Sequence, residues 1–159
     1  MSDIKTLLER FRRGPELLAV ATTGASNVEL DFVPGPGKWT CRQIACHLAD
    51  AEVVCAQWFR ATIAEENPAI IWFDQDAWVA NLDYSRRKIS DALEMFRVMR
   101  HYSFELLKSL PEEAYARKCT HSTDGELTLA DLLLIYAEHA EKHSRQIMEA
   151  RQKYKATPR

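Results

Sequence analysis

Two histidines four residues apart, His139 and His143, stand in the run His139-Ala140-Glu141-Lys142-His143. On a helix that spacing stacks both imidazoles one turn apart on one face, where both can reach a single metal ion. A third histidine, His47, shares a helical face with the apolar Ile44, Ala51 and Val54. Taken singly, each is better explained by a core imidazole bonded to a carbonyl or a carboxylate. Three on the apolar faces of two helices favour a metal site, because helix-bundle cores are where such sites are built.

Two familiar metal motifs fail on spacing. A zincin needs Glu directly after the first His, where Ala140 stands, and Glu141 points to roughly the opposite side. Ferritin-like di-iron sites need Glu-x-x-His, but Ile44, Tyr136 and Ala140 lie three residues before His47, His139 and His143. A mononuclear three-histidine site with open positions is left. Imidazoles suit Zn, Ni, Cu or Fe(II); one divalent ion is expected, Zn or Ni ahead of Fe or Mn.

Several further residues could serve that centre. Asp50, one turn after His47, is either an orienting acceptor or general base, or a carboxylate on the helix surface. Arg100 and Ser103 interrupt an apolar stripe. Arg100 either points into a pocket as a substrate-binding group or pairs with an acid at the bundle rim. Trp72, Phe73 and Trp78 make the connection over roughly 66–83 too apolar for a plain solvent loop, and Trp78 is a candidate substrate contact. His101 adjoins an inward stripe and His121 falls in a polar break, so both read as non-ligands. Cys46 is next to His47 but points about 100° away around the helix.

These residues need long helices to hold them, and the sequence supplies them. Ile4, Leu7, Leu8 and Phe11, then Leu17, Leu18 and Ala21, predict one long first helix bent at Pro15. Thr40 and Gln43 form a capping box that opens a second helix ending near Glu65. A third runs from about Ser85 to Leu110, stopped by Pro111. A fourth opens at Thr128, with Asp131 in the capping position, and runs to about Tyr154. Strand signals are weak, and 28–33 reads as an extended connection. The expectation is an all-α, up-and-down four-helix bundle with a long loop between the second and third helices.

Composition bounds the rest. The chain has 159 residues, enough for one domain over 1–159 with its own core. Its 21 basic and 23 acidic side chains give a net charge of −2, which argues against nucleic acid, since that needs a concentrated basic face. Apolar runs such as 132–137 are too short to cross a bilayer, and no hydrophobic leader opens the chain. No membrane partner and a cytoplasmic location are therefore expected. The four cysteines contain no C-x-x-C pair and are expected as thiols.

With those residues placed, the sequence resembles the DinB-like family of metalloenzymes, especially its YfiT-like branch. The motifs are Pro36-Gly37-Lys38-Trp39-Thr40 leading to His47-Leu48-Ala49-Asp50, then Glu66-Asn67-Pro68 and Asp74-Gln75-Asp76-Ala77-Trp78. They end with Gly125-Glu126-Leu127-Thr128, followed by His139, His143, Gln146 and Ile147. The likeness spans essentially the whole chain. It implies a four-helix bundle, often a homodimer, with a divalent metal on His47, His139 and His143. Where the branch often has a double histidine, this chain has Cys46-His47.

Characterised members of that family include thiol S-transferases that join low-molecular-weight thiols such as bacillithiol to electrophiles, and mycothiol-dependent isomerases. A small-molecule substrate with a thiol partner is accordingly the leading expectation. Hydrolysis by an activated water, with Asp50 as base, is the second. A non-catalytic metal- or ligand-binding bundle is the third.

Overall fold

The computed structural model describes residues 3–158; Met1, Ser2 and Arg159, the ends of the expected 1–159 domain, lie outside the described residues. Helix α1 covers Ile4–Arg12 and α2 covers Gly14–Thr22. Pro15 has no N–H to give the Phe11 carbonyl four residues back, so the expected bent helix is broken into two. The freed carbonyl accepts from Arg100 Nη1 at 2.9 Å. Gly14 leaves room for that guanidinium, since a Cβ there would sit 2.7 Å from the same nitrogen.

A short helix α3, Asn27–Leu30, replaces the extended connection read from the sequence. Its cause is Ser26, whose hydroxyl accepts from Glu29 N–H at 3.2 Å and nucleates a helical turn. Helix α4, Cys41–Ala64, begins at the expected capping box: Thr40 Oγ1 accepts from Gln43 N–H and Gln43 Oε1 from Thr40 N–H. Helix α5, Gln75–Asn81, is capped by Asp74 Oδ1. Helix α6 runs Ile89–Lys108, and α7 runs Leu129–Ala156 from the Thr128–Asp131 box.

The two long connections carry more structure than a loop. Strands β1 (Ala69–Ile70), β2 (Lys118–His121) and β3 (Gly125–Thr128) form a small sheet. β1 pairs parallel to β2, with Ile70 opposite His121, and β2 pairs antiparallel to β3, with His121 opposite Gly125. Sequence reasoning missed these strands because β1 has two residues and its partner lies about fifty positions away. Gly125, at φ +77°, takes the left-handed turn that closes the hairpin.

The protein is mostly helical and its core is a four-helix bundle, with α1 and α2 acting together as the first member. That member packs on α6 and α7, and α4 packs on α6 and α7 in turn. Arg10 of α1 meets Glu138 and Glu141 while Arg151 Nη1 donates to the Ala21 carbonyl of α2, so α1/α2 and α7 run parallel. Cys41 against Ile147 and Trp58 against Tyr136 make α4 antiparallel to α7. Glu52 against Arg100 and Arg60 against Ser103 make α4 parallel to α6. The directions are therefore up, down, down, up, which refines the plain alternation read from the sequence. The long connection over 65–88 is what lets two successive helices run the same way. No helix among the described residues is long and apolar enough to cross a membrane.

Candidate metal centre

His47 projects from the early turns of α4, and His139 and His143 project from the middle of α7. The two helices are antiparallel neighbours, so the three rings converge. Their candidate ligand atoms all lie within 4.8 Å of one another. His47 Nε2 stands 3.0 Å from His139 Nε2. The ring centroids are 4.6 to 5.0 Å apart at steep angles, so the rings are not stacked in a way that blocks their lone pairs.

The donor set fits a divalent ion. Two imidazole nitrogens on one tetrahedral zinc at about 2.05 Å are about 3.3 Å apart. The His47–His139 spacing needs only a small relaxation to reach that. Without an ion, those two nitrogens coexist only if one of them carries a proton.

The rings are also held in the form that binds metal. Burial, then the neighbouring His143, lowers the His47 pKa to about 3. Burial, with the charges of His143 and His47 behind it, pushes His139 well below the ordinary histidine value. Burial likewise lowers His143, opposed in part by its hydrogen bond to Gln146. His143 Nδ1–H donates to Gln146 Oε1 at 2.9 Å, which leaves Nε2 as the free acceptor. Gln146 lies three residues on in α7; the sequence motif contained it, but gave it no role. Gln146→Ala is expected to weaken metal binding about ten- to a hundredfold while leaving the helix intact, read by chelator competition.

The same burial sets a pH response of the metal-free protein. Unfolded histidine takes up a proton near 6.5, whereas these folded imidazoles resist doing so, His47 down to about 3. Between those values the unfolded chain binds more protons than the folded one, so stability falls as pH falls. The expected slope is about 1.4 kcal/mol per pH unit for each unprotonated histidine. Urea unfolding of chelator-treated protein at pH 7.5, 6 and 5 checks this, and His47→Phe should flatten the slope.

His139 and His143 line a cavity of about 610 Å³, with His47 buried behind them. Trp39, just before the α4 cap, lies over it, with its ring 5.0 Å from that of His47 and stacked 6.2 Å from that of His143. Phe73 approaches His47 at 6.3 Å and stacks on Trp72 at 5.6 Å. Ser122 Oγ accepts from Trp72 N–H at 2.8 Å, tying this aromatic wall to the hairpin turn. Lys38, Lys142 and Arg145 line the cavity, as do Asp76, Asp124 and Glu149. None of those carboxylates is hydrogen-bonded to the three imidazoles.

Three residues expected at the site are elsewhere. Asp50 accepts from Tyr84 Oη at 2.6 Å and lines a separate cavity with Cys46 and Arg87. Being three residues after His47 turns its side chain off the histidine face, and Tyr84 captures it. Arg100 is 1% exposed and forms a bidentate pair with Glu52 at 2.6 and 2.8 Å. With Phe11 and Phe96 rings against it at 3.9 and 4.7 Å, its guanidinium is committed to these partners, and Arg100 is not part of the cavity lining. Trp78 is not part of the cavity lining; it packs against Phe73 at 4.6 Å and supports the wall from behind. His121, read as a non-ligand, is not part of the three-histidine cluster but does line the cavity.

The four thiols are buried and unpaired. Burial drives Cys41 and Cys46 up to about 11 and Cys55 well above the usual thiol value, and it raises Cys119 too. None is placed to act as a nucleophile.

Fold and site together define a helical bundle with a buried three-histidine cluster, and both point to one family. The family model for the DinB superfamily matches residues 10–147, and the chain belongs to that superfamily. Among its relatives is the "Putative metal-dependent hydrolase YfiT" of Bacillus subtilis, 29% identical over 136 residues, covering 85% of this chain and 76% of that protein. A protein of the same description from Oceanobacillus iheyensis is 30% identical over 129 residues, covering 81% of this chain and 74% of the relative. Another, from Geobacillus thermodenitrificans, is 27% identical over 152 residues, 95% of this chain and 85% of the relative. The solved structure of Bacillus subtilis YfiT, described as having "an unusual four-helix bundle topology", superposes with a TM-score of 0.90 at 26% identity. It covers 97% of this chain and 90% of that one.

Proposed function

We propose that the protein is a metal-dependent enzyme that joins a small thiol to a small electrophile at the three-histidine centre. The observation that carries this is a trio of imidazoles held in the neutral form, two of which, His139 and His143, line a cavity, with no carboxylate bonded to any of them. A divalent ion bound there would supply uncompensated positive charge, which lowers the pKa of a coordinated thiol or water. A thiol, already close to ionising at neutral pH, needs no dedicated base to lose its proton to solvent. The sulfur then forms its bond to the electrophilic carbon as the bond from that carbon to its leaving group breaks.

The chain's own residues orient and enclose. His47, His139 and His143 would hold the ion, and Gln146 fixes the ring of His143. Trp39, Trp72 and Phe73 give an apolar wall that excludes water from the electrophile. Lys38, Lys142 and Arg145, with no ion-pair partner among the described residues, offer positive charge to acidic groups on either substrate. The buried cysteines leave the nucleophile to be supplied from outside.

A second reading is metal-assisted hydrolysis, favoured by the descriptions of the relatives. It lacks the base once assigned to it, because Asp50 is held by Tyr84. The deciding experiment loads the protein with Zn or Ni and follows two reactions. One is thioether formation between cysteine and 1-chloro-2,4-dinitrobenzene; the other is hydrolysis of p-nitrophenyl acetate. Metal-dependent conjugation that is lost in His143→Ala supports thiol transfer. Metal-dependent hydrolysis without conjugation replaces it with the second reading, and no turnover in either assay leaves a binding bundle.

A further inference from the structure

His121 ends strand β2, where alternation turns Lys118 and Thr120 outward and Cys119 and His121 inward. It is 3% exposed and lines the cavity. Its Nδ1 accepts from the backbone N–H groups of Thr123, at 3.4 Å, and Asp124, at 3.2 Å, and Thr123 Oγ1 lies 3.1 Å away. Two amide donors converging on that nitrogen leave no room for a proton there. The Asp124 carboxylate, 3.5 Å from Nδ1, takes the Thr123 hydroxyl at 3.0 Å instead. The proton of the neutral ring is therefore on Nε2.

Nε2 has no hydrogen-bond partner among the described residues. Ser144 Oγ is the one described side-chain atom both sealed from solvent and unpartnered, so Nε2 is not sealed and opens on the cavity. Two files of rings run from His121 to the metal centre. Trp58, 5.0 Å from His121, touches Tyr136 at 5.9 Å, which touches His139 at 5.7 Å. Trp72, 6.1 Å from His121, stacks on Phe73, which faces His47. The cavity is thus an aromatic corridor with the three-histidine cluster at one end and one oriented N–H donor at the other.

We propose that His121 is a specificity-determining residue, whose Nε2–H binds a carbonyl-type acceptor oxygen of a flat apolar substrate at the end of the cavity remote from the three imidazoles. The proposal rests on reading this cavity as the substrate site. It deepens that reading by assigning a substrate class: planar, largely apolar molecules with an acceptor oxygen two rings away from the reacting atom. A site built to donate a hydrogen bond discriminates against analogues that lack the acceptor.

The test uses the full chain, metal-free and metal-loaded, with acetophenone and the matched hydrocarbon ethylbenzene as probes. Long-range 1H–15N correlation should show His121 protonated on Nε2 and not on Nδ1. The Nε2–H resonance should move downfield with acetophenone and not with ethylbenzene. By tryptophan fluorescence, His121→Phe should raise the acetophenone Kd about tenfold relative to that of ethylbenzene. His121→Gln, which keeps an N–H donor, should recover part of that loss.

Protonation on Nδ1, an unchanged Kd ratio in His121→Phe, or probes that leave the ring undisturbed would each overturn the proposal. The resonance measurements use the wild type, so a misfolded variant does not blunt them. Turnover is a separate readout. Binding as described without any turnover overturns the proposed activity alone, and turnover with an unaffected Kd ratio overturns the role of His121 alone.

Discussion

Purified wild-type protein is expected to hold about one divalent ion per chain, and His143→Ala to hold none after dialysis against a micromolar chelator. Three converging imidazoles from two helices form the site, and their candidate ligand atoms lie within 4.8 Å of one another. Removing one ligand leaves two nitrogens, a number that neither structural nor catalytic zinc sites use. The affinity loss should exceed the roughly hundredfold upper range for a supporting residue such as Gln146. Elemental analysis of both proteins reads the result directly. His101→Ala is the matched control, since that residue is no member of the cluster. Equal metal in wild type and His143→Ala would move the ion elsewhere and end the proposed chemistry.

Arg100→Met should cost about 3–5 kcal/mol, the largest stability effect expected outside the metal centre. Glu52 is 1% exposed and spends both carboxylate oxygens on Arg100, so losing the guanidinium leaves a buried, uncompensated charge. The Phe11 carbonyl, freed by Pro15, loses its donor as well. For a chain of this size the melting temperature should fall by about 6–20 °C. Arg100→Met combined with Glu52→Leu removes both charges and should recover most of the loss. The recovery should be incomplete, because an unpaired buried carbonyl still costs about 1–3 kcal/mol. Calorimetry on the two variants separates these terms; a double variant no better than Arg100→Met would show that packing, not charge, dominates there.

The helices and the grouping of the three histidines were legible in the sequence because both are local. Capping boxes at Thr40 and Thr128 are read within four residues, and they mark where α4 and α7 begin. A helical face is likewise a local property, so His47, His139 and His143 could be grouped before any contact was known. Asp50 and Arg100 were not legible, because their fates depend on Tyr84 and Glu52, over thirty positions away in each case. A signal did exist for Arg100, since Glu52 also lies on the inward side of its own helix. His121 was set aside for standing in a polar stretch. The pairing of β2 with β1 and β3 is what turns it inward, and neither partner strand is long enough to announce itself.

The three clustered histidines all come from α4 and α7, which pack directly on one another, whereas part of the cavity wall, including Trp72, Phe73 and His121, comes from the connections over 65–88 and 109–128. The distance across the centre is thus set by one helix–helix interface and does not depend on the length or composition of either connection. A lineage can lengthen, shorten or rewrite those connections, and so reshape that part of the wall, without disturbing the three imidazoles. On the proposed reading, chemistry and selectivity are separately heritable in this fold, so two chains with the same three histidines could share a reaction and have no substrate in common.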